Sequence, residues 1–343
     1  MSFLLRHNRA GAGDSKGALE DLQTIRRLGR LLQQEPALLS TLVGAAIESL
    51  SWQTKLTLAR GELLTAAQRI QLAADARGTE EFRYNSDAFN TGERYFNLQL
   101  VMMAMKEDTE RSVRVISGLE WVDFFNKAAK KPSVTLGDLR QTDWNVVLRM
   151  LNRDYDTLTA IASETDEIKQ RDQALAFVAA HQAAQEAGIT QSITFDISPD
   201  PDKEIQRQKF ISNLEAYLRR RPNESLVAYS ERIGIFFLGD QSSVERSFRL
   251  VLRPRTYQRQ LQMVLALRAY HEAKGAYPAT LNELVPAFLP KISTDPFAGK
   301  PMSFRREGDG YVLYSIGLNG KDDGGKTSRE QKDADDIVVK TDH

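Results

Sequence analysis

Seven residues with oxygen-rich side chains follow one short apolar run near the end of the chain. The run is Tyr311 to Ile316, and the residues after it are Asn319, Asp322, Asp323, Glu330, Asp333, Asp335 and Asp336. Two carboxylates about 4 Å apart repel by about 4 kcal/mol at an effective dielectric constant near 20, so a folded loop that gathers several of them implies a cation. Carboxylates, an amide and backbone carbonyls are ligands that suit calcium. The loop therefore predicts a site for a hard cation.

The length of this loop also sets it apart. It separates the run Tyr311 to Ile316 from a second strand-like run, Ile337 to Val339, by about twenty residues rich in Gly, Asp and Lys. Connections in compact domains have a median of about 4 to 6 residues, and an unstructured one beyond about 12 to 15 residues is usually functional or disordered. We therefore expect the loop to be a functional element.

Four segments of the last part of the chain carry a resemblance to a known family. They are LRAYHEAKGAYPATLNELVP, LPKISTDPFAGKPMSF, GYVLYSIGLNGKDDGG and DADDI, read in that order from Leu267. They resemble the globular half of the major pseudopilin of bacterial type II secretion systems. The chain as a whole resembles exported planctomycete proteins.

The pseudopilin resemblance implies a calcium site in the last loop. The implied ligands are the carbonyl of Ile316 and the side chains of Asn319, Asp322, Asp335 and Asp336. The sequence departs from the family in two ways. Asn319 stands where the family usually has Asp, which weakens the expected affinity. No hydrophobic prepilin stalk precedes the domain, which argues against ordinary incorporation into a pseudopilus.

The periodicity of apolar residues predicts a mainly helical chain with a small C-terminal α+β domain. Helices are expected over 19–32, 38–58, 63–77, 93–106, 112–130, 144–163, 166–187, 203–220, 224–237 and 256–274, with a pause at 239–240. The opening GAGDSKGALEDLQTIRRLGRLL is typical of a tetratricopeptide-like unit, so a helical array is one interpretation. A long pseudopilin-like helix ending at Gly275 precedes three strands of an antiparallel sheet, over 302–306, 311–316 and 337–340.

We therefore predict three parts: an all-helical domain over 1–188, a linker with additional helices over 189–240, and the pseudopilin-like α+β domain over 241–343. The most apolar window, 233–238, is six residues long, whereas a membrane-spanning helix needs about 20. The abrupt start at Phe3, Leu4 and Leu5 suggests that an N-terminal anchor or signal has been removed.

Composition excludes several classes of function. Basic and acidic residues balance at 46 each, so no net field recruits nucleic acid. The chain has no Cys, which excludes disulfides and thiolate chemistry and suits an exported protein. The four histidines, His7, His181, His271 and His343, have no metal-ligand spacing. The segment GKDDGGKT, residues 320–327, has the glycine, Lys and Thr spacing of a phosphate-binding loop, but no helix is expected after it, so a nucleotide site is set aside.

The sequence favours a non-enzymatic scaffold or interaction protein with protein partners, exported to the periplasm or cell surface and associated with a secretion or surface apparatus. One alternative is a helical-domain hydrolase or small-ligand binder, with its cleft at the aromatic stretch Phe82 to Phe96. Paired carboxylates for such chemistry would come from Asp87, Glu93, Asp123, Asp143 and Asp154. A peptide-binding helical solenoid is a third interpretation.

Overall fold

The computed structural model describes residues 12–105, 141–185, 219–238 and 241–341, together with Arg9, Leu139, Ala216 and Tyr217. These residues are mainly helical and form a small three-stranded antiparallel sheet at the C-terminal end, which confirms the predicted fold class at that level. The predicted helix over 112–130 and most of the helix over 203–220 lie outside the described residues. Tetratricopeptide-like packing stays a prediction.

Eight α-helices are described. They are α1 (Ser15–Gln33), α2 (Leu38–Arg60), α3 (Ala66–Gly78), α4 (Arg94–Met105), α5 (Trp144–Ser163), α6 (Glu167–Gln185), α7 (Leu226–Leu238) and α8 (Gln241–Lys274). A π-helical turn, Ala88–Glu93, precedes α4, and a 3-10 turn, Leu281–Leu284, follows α8. Local capping fixes several of these boundaries. The Asp14 carboxylate accepts the Gly17 N–H at 2.9 Å, and Thr65 and Gln68 form a reciprocal capping box that begins α3.

Helix α8 differs from the prediction. It runs for 34 residues from Gln241 and contains Pro254, whereas the sequence predicts a separate helix that begins at Thr256. A proline inside a helix removes one backbone hydrogen bond and costs about 3 kcal/mol. Burial compensates for that cost, because Leu252 and Thr256 on either side of Pro254 are both at most 2% exposed. Tertiary packing therefore overrides the local signal.

The sheet has the order β1-β2-β3, with strands β1 (Ser303–Glu307), β2 (Gly310–Ser315) and β3 (Ile337–Lys340). A tight turn pairs Glu307 with Gly310, and β2 pairs with β3 through Ser315 and Ile337. Every residue of the central strand β2 is buried. The connection from β2 to β3 is the long acidic loop, so the two ends of that loop lie on neighbouring strands.

The chain divides into two compact units whose residues are not consecutive. The first unit comprises Met1–Asn85, Ser163–Asp172 and Arg246–His343, and the second comprises Ser86–Ala162 and Gln173–Glu245. This division differs from the sequential one expected at residues 188 and 240. The predicted linker over 189–240 lies largely outside the described residues, which within it are Ala216, Tyr217 and 219–238.

One hydrophobic core explains why the first unit joins both ends of the chain. Side chains from α1, α2 and α3 pack with others from α8 and the sheet. The buried members include Leu22, Trp52, Leu56, Leu72, Leu261, Val264, Leu267, Leu313 and Val339. The apolar faces of the N-terminal helices are therefore covered by α8 and the sheet. A smaller cluster within the same C-terminal region joins Leu252, Phe297 and Ile337.

The short segment 163–172 is anchored within the first unit. Arg259 of α8 binds Glu81 with two hydrogen bonds of 2.7 Å and binds Glu167 at 2.5 Å. Arg171 donates to the carbonyl of Phe297 at 2.5 Å. Because Arg259 is largely buried, these pairs are charge-assisted contacts in a partly dry environment, where removal of one partner is costly.

The second unit has its own core around α5. Val147, Leu151 and Leu158 are fully buried, and α7 approaches α5 closely at Gly234. A Cβ on Gly234 would lie 2.4 Å from Cε of Met150, so the glycine permits this approach. None of the described helices combines the length and the apolar character needed to cross a membrane.

Candidate metal-binding loop

The two ends of the acidic loop meet at Gly317. This residue has φ +69°, and a Cβ on it would lie 2.2 Å from the carbonyl oxygen of Asp335. No side chain fits there without moving the backbone, so glycine is required by both conformation and space. The loop is thus closed at its base, where β2 ends and β3 begins.

Buried packing fixes the first residues of the loop. The carboxylate of Asp295 is 1% exposed and accepts three hydrogen bonds: from Oγ of Ser315 at 2.8 Å, from the N–H of Ile316 at 3.0 Å and from the N–H of Phe297 at 2.9 Å. The guanidinium of Arg249 donates to the carbonyl of Leu318. In the sequence, Asp295 was noted only within the segment LPKISTDPFAGKPMSF, and its contacts with the end of β2 were not predicted. An Asp before Pro is nevertheless a recognised turn signal.

Asp336 lies at the centre of the loop. Asp336 is 3% exposed, and its carboxylate accepts the N–H of Gly325 at 2.7 Å and the N–H of Asp323 at 3.4 Å. Burial is the main cause that raises the pKa of Asp336, and the neighbouring carboxylates of Asp323 and Asp322 raise it further. The two backbone donors act in the opposite direction. The site thus concentrates negative charge around a buried acid.

Asn319 and Asp323 join the two halves of the loop. The Asn319 amide donates to Oδ2 of Asp323 at 2.9 Å, and the N–H of Asp335 donates to the same oxygen at 3.1 Å. These hydrogen bonds, with the Asn319 contact first, lower the pKa of Asp323. Asp323 was among the acids noted in the sequence but was not among the predicted ligands. Its position in the network makes it a member of the site.

One oxygen in the loop has no hydrogen-bond partner. Oδ2 of Asp335 accepts the N–H of Asn319 at 3.0 Å, whereas Oδ1 of Asp335 is buried and unpartnered among the described residues. A buried carboxylate oxygen without a donor costs about 1 to 3 kcal/mol, and more when it is charged. This oxygen faces inward at the base of the loop, 2.6 Å from where a Cβ on Gly317 would be.

Three of the five predicted ligands lie in one hydrogen-bond network, and the other two make different contacts. Asn319, Asp335 and Asp336 share the network described above. Asp322 turns towards the sheet, where it accepts from the hydroxyl of Tyr314 and the N–H of Gly324, both at 3.0 Å. Ile316 binds Asp295 through its N–H. Within the described part of the chain, no three acidic or histidine side chains form a metal-ligand cluster.

The more distant acid of the loop, Glu330, has a local role. It binds Nζ of Lys340 at 2.9 Å and caps the N–H of Thr327 at 2.9 Å. The Lys340 contact is the main reason that the pKa of Glu330 falls to about 2. Glu330 therefore braces the outside of the loop and takes no part in the network around Asp336.

The alternative site, the aromatic stretch, divides into core and surface residues. Phe82, Tyr84 and Phe89 are buried, whereas Tyr95 and Phe96 are 63% and 57% exposed. Several of the acids and histidines noted in the sequence have structural contacts. The imidazole of His181 binds Asp154 at 3.1 Å, Asp143 accepts the N–H of Asn145, and His271 stacks on Tyr277. His7, His343 and Asp123 lie outside the described residues.

Comparisons of the chain with protein-family models, with curated proteins and with solved structures find no significant match.

Proposed function

We propose that the chain is a non-enzymatic interaction protein whose sheet-bearing unit is stabilised by calcium in the loop between β2 and β3. The main support for this proposal is Oδ1 of Asp335, which is buried and has no hydrogen-bond partner among the described residues. Beside it, burial and the neighbouring acids raise the pKa of Asp336. A divalent cation would compensate both groups. Oxygen ligands of this kind suit calcium better than they suit softer metals.

The residues that would hold the ion are Asp335 and Asp336, with Asn319, Asp322 and the carbonyl of Ile316 completing the set implied by the resemblance. The existing hydrogen bonds supply the scaffold. Asp335 holds the two halves of the loop together, because it accepts the N–H of Asn319 at 3.0 Å and donates its own N–H to Asp323 at 3.1 Å. Bound calcium supplies two positive charges that offset the crowded carboxylates. It would thereby stabilise the closed loop against opening.

An interaction role is supported by exposed apolar side chains on α4 of the second unit. Tyr95, Phe96, Met102 and Met105 are each more than 40% exposed. Aromatic residues and methionine are enriched at protein interfaces. Association with a secretion or surface apparatus and export from the cytoplasm remain part of the proposal, and they rest on the pseudopilin resemblance.

The calcium proposal is tested by thermal unfolding of the full chain in EGTA and in about 2 mM CaCl2. With a dissociation constant near 0.1 mM, linkage predicts a stabilisation of about 1.8 kcal/mol. Asp335→Asn keeps the acceptor for the Asn319 N–H and removes the charge, so it should lose the shift. The matched control is Asp309→Asn, which makes the same change in the exposed β1–β2 turn and should retain it.

Three outcomes would contradict the calcium proposal. A wild-type protein whose melting temperature is the same in EGTA and calcium has no calcium site. A shift of equal size in wild type and Asp335→Asn would place any bound calcium elsewhere. An equal shift with MgCl2 would indicate general screening of the acidic loop, because magnesium demands a different, octahedral geometry.

A further inference from the structure

The hairpin of α1 and α2 exposes four large apolar side chains. Leu28 and Leu31 of α1 are 52% and 60% exposed, and Leu39 and Val43 of α2 are 73% and 40% exposed. The first ten residues of α2, 38–47, contain no charged residue. A solvent-facing helix surface normally carries charged and polar side chains, and a contiguous apolar patch usually marks an interaction site. We call these four side chains the hairpin surface.

The close contact between the two antiparallel helices places the hairpin surface on one side. Gly29 lies against the backbone of Gly44 at this contact. Leu28 and Val43 each come directly before one of these glycines in the sequence. In an antiparallel helix pair, the positions directly before the two contact residues lie on the same side of the pair. The other side, which includes Trp52, packs into the core of the first unit.

Two charges of opposite sign flank Leu31 on α1. Arg27 lies four residues before Leu31 and Glu35 lies four residues after it, and both residues are exposed. Neither side chain makes a hydrogen bond or an ion pair with a described residue. The rise of eight helical residues, about 12 Å, keeps the two charges apart within one chain. They are therefore available to a second molecule.

We propose that the hairpin surface is the interface of a symmetric dimer of this chain. In the dimer, α1 packs antiparallel against α1 of the second copy, with Leu31 on the two-fold axis. Two-fold symmetry makes every contact reciprocal, so Arg27 of each chain meets Glu35 of the other. The apolar side chains exclude water at the centre of the interface, and the two ion pairs set the register of the helices. The two hairpins together form a four-helix bundle.

The charges favour a second copy over other occupants of this surface. One basic and one acidic side chain flank Leu31, so the surface has no net charge that would attract an anionic bilayer or a strongly charged protein. Opposite charges at equal distances on either side of an exposed leucine match a copy of the same surface. The inference does not depend on the calcium loop, and the calcium-dependent shift in melting temperature should persist in the variants below.

The mass of the full chain in solution tests the proposal by light scattering coupled to size-exclusion chromatography. We expect wild type at tens of micromolar to have twice the 38.6 kDa mass of one chain. Leu31→Glu places two carboxylates at the two-fold axis, so this variant should be monomeric. Its circular dichroism should stay that of the wild type, because Leu31 is exposed. The matched control is Ile70→Glu on α3, where the side chain is 71% exposed, and it should remain dimeric.

Charge reversal tests the antiparallel arrangement. Arg27→Glu and Glu35→Arg should each raise the dissociation constant of the dimer about tenfold, because each creates two like-charge contacts across the axis. The double variant restores opposite charges and should recover the wild-type dissociation constant. A double variant that is no tighter than either single variant would overturn the proposed pairing.

A crosslink tests the position of the axis. The chain has no Cys, so Leu31→Cys introduces a single thiol. Mild oxidation should join two copies of this variant, because facing residues on a two-fold axis meet the Cα separation of about 4.4 to 6.8 Å that a disulfide needs. Ile70→Cys should stay uncrosslinked, and equal crosslinking of both variants would contradict the axis at Leu31.

The wild-type mass needs no variant and decides the proposal even if a variant fails to fold. A monomeric wild type, or a dimeric Leu31→Glu, would overturn the dimer. If a monomeric wild type instead floats with phosphatidylserine vesicles and Leu31→Glu does not, the hairpin surface binds a membrane and the proposal is equally wrong.

Discussion

The close contact between α1 and α2 predicts that a larger residue at this contact destabilises the protein. The two helices approach most closely where Gly29 faces Gly44. A Cβ on Gly44 would lie 2.6 Å from the carbonyl oxygen of Gly29, and a Cβ on Gly29 would lie 2.8 Å from the carbonyl oxygen of Gly44. Both neighbours are backbone atoms, so Gly44→Ala forces the helices apart.

The size of the effect is a balance of two terms. Overpacking in a buried contact costs about 1 to 3 kcal/mol. The change from glycine to alanine in a helix interior contributes about 1 kcal/mol in the stabilising direction. Because separation of the helices also loosens the packing around the buried Trp52, we expect Gly44→Ala to lower the free energy of unfolding by about 1 to 2 kcal/mol.

A matched substitution on α3 should have the opposite sign. Gly78 is the last residue of that helix, and nothing lies within 4 Å of a Cβ placed on it. Gly78→Ala should therefore raise the free energy of unfolding by about 0.4 to 1 kcal/mol, because alanine restricts the unfolded chain. The two variants make the same chemical change, so their difference isolates the close approach of the helices.

Urea unfolding followed by tryptophan fluorescence measures both variants. The reasoning is refuted if Gly44→Ala is as stable as the wild type or matches the gain of Gly78→Ala. A change in the dependence of the free energy on urea, with no change in midpoint, would indicate an effect on the unfolded chain instead.

Two further predictions concern the units separately. Both ring nitrogens of His181 have acceptors, Asp154 and the carbonyl of Phe177, and the Asp154 contact raises its pKa above 6.5. The stabilisation is therefore complete below pH 6.5 and is lost as pH rises through the folded pKa. The gap in urea midpoint between wild type and His181→Gln should shrink as pH rises, and a constant gap would contradict this assignment. A fragment over 256–343 should give a poorly dispersed NMR spectrum, because it lacks the α1–α3 side of the core. A well-dispersed spectrum together with cooperative unfolding of the fragment would contradict the shared core.

Local patterns predict the elements of this fold well. Helix α5 begins and ends at the predicted residues, and the strands are within one residue of their predicted positions. These elements carry a clear periodicity of buried residues, such as Val147, Leu151 and Leu158. The sequence predicted a new helix at Thr256 within the span of α8, and only the surrounding core shows why a single helix continues through Pro254.

The pairing of distant elements is what the sequence could not reveal. The apolar faces of α1, α2 and α8 each predict burial, but the sequence does not show which of these faces pack against one another. The same limit applied to the sites. Asp335 and Asp336 could be predicted from an acidic loop, whereas Asp295 required knowledge of which strand end lies beside it.

The core shared by the two ends of the chain has a consequence for its synthesis. Arg69 binds Glu272, which lies 203 positions later in the sequence, and the last strand of the sheet completes the same core as α1. During translation α1, α2 and α3 leave the ribosome long before their partners exist. Their apolar faces therefore stay uncovered until most of the chain has been synthesised. Contacts between residues so distant in sequence also slow folding. We expect the nascent chain to depend on chaperones until β3 has emerged.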